Sequence, residues 1–127
     1  MFMDGYLQKQ FKGRTKRFVQ TLTLNSGEEA RREYVKWHSP EHNWKEIRDG
    51  IREVGILEME LYILGNLLVM IVDAPADFNW DEAMARLATL PRQAEWEAFV
   101  SQFQGCDANA TSDEKWQMME RMFFLYE

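Results

Sequence analysis

Two short apolar runs joined by a turn constrain this chain more than any other feature. Residues 56–63 read Ile-Leu-Glu-Met-Glu-Leu-Tyr-Ile. That alternation sends Leu57, Met59, Leu61 and Ile63 to one face of a strand and Glu58, Glu60 and Tyr62 to the other. Leu64-Gly65-Asn66 supplies turn chemistry, and residues 67–73, Leu-Leu-Val-Met-Ile-Val-Asp, follow as a near-continuous apolar strand. The pair predicts an antiparallel hairpin, which needs further strands and a layer of helices to become a stable domain.

The flanking segments supply them. Residues 17–24 (RFVQTLTL) are rich in β-branched and aromatic side chains and stop at Asn25-Ser26-Gly27, so they predict a first strand. Residues 27–38 carry acids in the first turn and place Ala30, Tyr34 and His38 at successive i, i+4 positions, one side of a helix. Pro40 breaks that run and suits the first turn of a second helix, whose stripe Trp44, Ile47, Ile51 and Val54 ends at Gly55. Beyond the hairpin, Asp77 or Asn79 can cap a helix through residues 81–90, and Pro91 can start another reaching Phe103. Residues 105–112 read as a polar loop, and residues 118–126 as a closing strand, with room for a helix over 116–122 before it. The predicted order is a ferredoxin-like βαββαβ unit of the α+β class, an antiparallel sheet covered by helices on one face. The polar face bearing Glu58, Glu60 and Tyr62 is expected to meet a second subunit or to line a partly polar cavity.

Composition narrows the function. A chain of 127 residues has room for one core. Residues 1–26 hold five Lys/Arg against one acid, whereas residues 27–127 hold ten against twenty. Residues 1–15 are therefore read as a basic N-terminal extension and residues 16–127 as the folded domain. An acidic body repels a phosphate backbone, so a nucleic-acid partner is not expected. The apolar runs are far shorter than the ~20 residues of a membrane helix, and no secretory leader is visible, so neither a membrane partner nor export is expected. The single cysteine, Cys106, excludes an intrachain disulfide or a CxxC site and fits a reducing, cytoplasmic setting.

Chemistry rests on few groups. The two histidines, His38 and His42, flank Ser39-Pro40 and do not share a helical face, so no metal site is expected. Tyr34 and His38 do share one, a titratable pair suited to proton exchange near neutral pH. Five tryptophans suggest sugar binding, since a pyranose packs its apolar face on an indole. Trp37 and Trp96 are the candidate pocket walls, and Trp44 and Trp116 are assigned to packing. Glu60 is a candidate hydroxyl acceptor or second base, with Tyr62 beside it.

In order along the chain, Tyr34-x3-His38-x-Pro40, Trp44, Gly55 opening a strand with Tyr62, Asn66-Leu67-Leu68, a helix with Trp96 and a terminal Phe-Phe-Leu-Tyr resemble the L-rhamnose mutarotase family. The resemblance spans residues 16–127. It implies a homodimeric α+β barrel of ferredoxin-like protomers that interconverts the α and β anomers of a 6-deoxy-L-sugar with no metal or organic cofactor. By the same resemblance His38 is the general acid/base, Tyr34 bonds the sugar near C1 or the ring oxygen, and Trp96 lines the pocket. The chain departs from the pattern at Glu95, which stands where a second adjacent tryptophan is expected, and in a longer spacing from His38 to Trp44. A carboxylate in place of an indole exchanges a stacking surface for a hydroxyl acceptor, which makes L-fucose a rival to L-rhamnose. Similar barrels include haem-handling enzymes, cofactor-independent monooxygenases, small-molecule binding modules and structural dimerisation domains, and fold alone does not separate these.

Overall fold

A computed structural model describes residues 4–126. Strand β1 runs Thr15–Thr23, and helices α1 (Glu28–Lys36) and α2 (Lys45–Glu53) follow it. The hairpin is β2 (Glu58–Leu64) and β3 (Leu67–Pro75). Helices α3 (Trp80–Leu87), α4 (Gln93–Gln104) and α5 (Ser112–Lys115) come next, then a short strand β4 (Gln117–Met118). The strands form one antiparallel sheet in the order β2-β3-β1-β4, the arrangement expected of a ferredoxin-like unit.

Register settles which face is which. Met59, Leu61 and Ile63 of β2 lie opposite Val72, Met70 and Leu68 of β3, which in turn face Phe18, Gln20 and Leu22 of β1. Those residues form the helix-covered face, where Val72 and Leu68 are almost wholly buried and pack with Val100 of α4. The opposite face carries Val19, Thr21, Val69, Ile71, Glu60 and Tyr62, all half-buried. At its end, Arg17 donates to Asp73 at 2.7 Å. Tyr6, which precedes β1, meets Tyr62 edge to face at 5.9 Å between ring centres.

Several boundaries move for identifiable reasons. Pro40 does not open a helix: residues 37–43 form consecutive turns, and α2 starts only at Lys45 with Trp44 as its cap. Helix α1 ends at Lys36, so His38 lies in the turn beyond it. Asn79 caps α3, its side chain accepting from the Glu82 N–H at 3.1 Å. Arg92, with φ of 64°, separates α3 from α4, so α4 begins at Gln93 and not at Pro91. The loop expected over 105–112 is present and runs to Thr111, after which comes α5, nucleated by Thr111 and Glu114 through a reciprocal capping box. That helix replaces the one anticipated over 116–122. The closing strand is reduced to Gln117–Met118, because only these residues find register with Thr21 and Gln20. Beyond them Met122, Phe123, Phe124, Leu125 and Tyr126 are exposed.

Candidate active site

The helix layer does not close tightly over the sheet. A cavity of about 590 Å³ opens between α1, α2, α4 and the Met59, Leu61 and Met70 side of the sheet, a size typical of small-ligand sites. Tyr34, Trp37, His38, Trp44, Trp96 and Trp116 are among its lining residues, so its walls are aromatic. The ring of Trp96 stands edge-on to His38 at 5.3 Å and to Trp44 at 5.1 Å.

The turn after α1 does what a further helical turn was expected to do. His38 still sits over Tyr34, its ring centre 4.3 Å from the tyrosine ring, because its Nδ1 donates to the Tyr34 backbone carbonyl at 2.6 Å. A carbonyl oxygen only accepts, so Nδ1 carries the proton and Nε2 is left with its lone pair. Burial lowers the imidazole's pKa, partly opposed by that backbone bond, and keeps the ring neutral at physiological pH. Tyr34 is the opposite case. Burial holds its hydroxyl well above the ordinary phenol range, so it stays protonated. The Gln104 side-chain amide donates to the Tyr34 oxygen at 3.4 Å, which leaves the tyrosine O–H free to donate elsewhere.

Of the residues singled out in the sequence, the cavity gathers Tyr34, Trp37, His38 and Trp96. It does not gather Glu60, Tyr62 or Glu95. Glu60 pairs with Ile71 in register and Tyr62 with Val69, so both belong to the face of the sheet away from the helices. There the Tyr62 hydroxyl donates to Glu60 at 3.3 Å. Glu95 precedes Trp96 by one residue, about 100° round the helix, and turns to solvent, where it accepts from Arg92 at 2.8 Å. Trp44 and Trp116, assigned to packing, line the cavity as well.

The sequence reading missed a polar stripe on α4. Gln93, Glu97 and Gln104 lie at helical spacing with Trp96 and Val100, are almost fully buried, and all line the cavity. Glu97 accepts from Gln93 at 2.6 Å and from the ammonium of Lys115 at 3.0 Å. Lys115 also donates to the Glu97 backbone carbonyl. Burial raises the Glu97 pKa, and Lys115 is what opposes it most. Among the described residues, no three His, Cys, Asp or Glu side chains come close enough together to hold a metal ion. No helix among them is long and apolar enough to cross a membrane.

Comparison with known proteins decides the family to which this chain belongs. The family model described as L-rhamnose mutarotase matches residues 17–125. The chain belongs to the L-rhamnose mutarotase family. It is 32% identical to an L-fucose mutarotase of Xanthomonas campestris pv. campestris over 111 residues, covering 87% of this chain and 89% of that one. It is also 32% identical over 90 residues to a UPF0734 protein of Dictyostelium discoideum, covering 70% of each. Its fold is similar to the crystal structure of an L-rhamnose mutarotase from Formosa agariphila, with a TM-score of 0.65 and 18% identity over 87% of this chain and 99% of that one. Membership of the mutarotase family makes the protein a carbohydrate isomerase and sets aside the haem and monooxygenase readings.

Proposed function

We propose that the protein interconverts the α and β anomers of a 6-deoxy-L-hexose, L-fucose or L-rhamnose, in the cavity around His38. The observation that supports this reading is the Nδ1 bond to the Tyr34 carbonyl, which leaves Nε2 with the lone pair on a residue lining an aromatic-walled cavity. Mutarotation needs a proton removed from the anomeric hydroxyl as C1–O5 breaks and a proton delivered to O5. His38 Nε2 takes the first, and Tyr34, which burial keeps protonated, hydrogen-bonds the ring oxygen as negative charge develops there. The imidazolium then passes its proton to O5, which leaves C1 as the aldehyde, O5 as a hydroxyl and His38 neutral again. After rotation about C1–C2 the ring oxygen attacks the other face of the aldehyde, and the same groups run in reverse. No metal or redox step is required by this sequence of proton transfers.

Trp96 offers the sugar its indole. Replacing it by alanine is expected to raise KM about tenfold or more while kcat falls less, since stacking acts on ground state and transition state alike. Anomer-exchange kinetics over a range of sugar concentration read both constants, and an unchanged KM would remove Trp96 from the pocket. The ratio of kcat/KM for L-fucose and L-rhamnose decides the substrate.

We further propose that the working form is a homodimer in the cytoplasm. The uncovered sheet face carries Val19, Val69 and Ile71, and the exposed 122–126 segment adds a run of bare aromatic and aliphatic side chains, more apolar surface than a single protomer ordinarily leaves in water. Light scattering coupled to gel filtration should give a mass close to twice 15.1 kDa, and a monomer at micromolar concentration would refute it.

A further inference from the structure

Polar side chains on the buried face of a helix need a reason, because desolvation penalises each one that lacks a partner. On α4, Gln93 and Glu97 satisfy each other and Lys115. Gln104 is different. Its amide nitrogen donates to Tyr34, but its side-chain oxygen is buried with no hydrogen-bond partner, and it is the one such side-chain atom among the described residues. The residue is 5% exposed and lines the cavity that holds His38. An unpaired acceptor of this kind, on a residue that is bonded to a neighbour already placed in the chemistry and that lines a cavity large enough for a monosaccharide, is an acceptor kept for a ligand's hydroxyl.

We propose that Gln104 is a substrate-positioning residue: its side-chain oxygen accepts a hydrogen bond from a ring hydroxyl of the bound 6-deoxy-L-hexose while its amide steadies the Tyr34 hydroxyl. The proposal rests on the mutarotase reading of this cavity and adds a hydroxyl-recognition role for α4 to it. The amide thereby couples recognition to chemistry. A sugar that fills the acceptor draws its ring oxygen toward the tyrosine O–H, and a sugar lacking that hydroxyl leaves the acceptor stranded and is rejected.

The test is a cycle between protein and sugar. Wild type and Gln104→Met, which keeps length and loses both hydrogen bonds, are each titrated with the preferred 6-deoxy-L-hexose and with its 2-, 3- and 4-deoxy analogues. Melting temperature and circular dichroism establish that the variant is folded. Wild type is expected to bind one analogue about five- to tenfold less tightly than the parent sugar, and Gln104→Met to bind those two alike. The kcat of Gln104→Met for the parent sugar should also fall, because Tyr34 loses its support. A merely structural glutamine would lower stability without touching discrimination, so full retention of the wild-type preference in the variant overturns the proposal. Should Gln104→Met fail to fold, wild type alone still decides: equal affinity for all three analogues and the parent refutes a hydroxyl-reading acceptor. Failure of wild type to accelerate anomer exchange for either sugar is a separate result, and it overturns the mutarotase reading itself.

Discussion

His38→Asn is expected to lose about 100- to 10,000-fold in kcat for anomer exchange while the protein keeps its fold. Asparagine can still donate to the Tyr34 carbonyl from its amide, so the turn after α1 need not rearrange. What it lacks is a lone pair that takes and returns a proton near neutrality. Circular dichroism and a melting temperature within a few degrees of wild type check the fold, and exchange kinetics check the loss. Exchange at the wild-type rate would remove His38 from the chemistry. The pH profile of the wild type carries the same information. Burial lowers the imidazole pKa, so Nε2 is free through the neutral range and kcat/KM should fall only on the acidic side, with its midpoint below the ordinary histidine value. Stability follows with a definite sign. The unfolded chain binds a proton at this residue more readily than the folded one, so His38 costs the fold stability as pH drops through the unfolded histidine range. No such loss arises from it above that range.

The largest effect on stability is expected at Lys115. Its side chain has 0% exposure and its ammonium is bonded to the carboxylate and carbonyl of Glu97, itself only 9% exposed. Lys115→Met removes one charge and leaves the other buried without a counterion, which costs on the order of 3–5 kcal/mol. Chemical denaturation at pH 7 reads this directly. Two controls identify the cause. Loss of Lys115 should push the Glu97 pKa, already raised by burial, further above its unfolded value. The folded variant then binds a proton that the unfolded chain does not, so its deficit should shrink as pH falls from 7 towards 5. Adding Glu97→Gln to Lys115→Met removes the stranded charge and should recover part of the lost stability. A deficit independent of pH, with no recovery in the double variant, would mean that packing and not the ion pair explains Lys115.

How far the sequence could be read follows from the same residues. The hairpin was legible because alternation over 56–63 and the apolar run over 67–73 are local patterns, and the four-strand order followed from their placement between helices. Alternation put Glu58, Glu60 and Tyr62 on one face, but it does not tell which face the helices will cover. That choice is made by the pairing of Met59, Leu61 and Ile63 with the buried half of β3, and it takes Glu60 and Tyr62 away from His38. Tyr34 and His38 were expected on one helix. They do come together, although through a backbone hydrogen bond in a turn after the helix has ended. Gln93, Glu97 and Gln104 were invisible for a general reason: polar residues at helical spacing ordinarily mark the solvent side. Only the position of α4 against α1 and the sheet turns them inward. The one available signal was Trp96 and Val100 falling on the same stripe.

Exchange spectroscopy on the anomeric protons of L-fucose and L-rhamnose, with and without the protein near neutral pH, tests the central claim most directly. Magnetisation transfer between the α and β signals of at least one sugar should be far faster with the protein than in buffer, and His38→Asn at the same concentration should return it to the buffer rate. Unchanged exchange for both sugars would contradict the assignment of this cavity to 6-deoxy-L-hexose mutarotation.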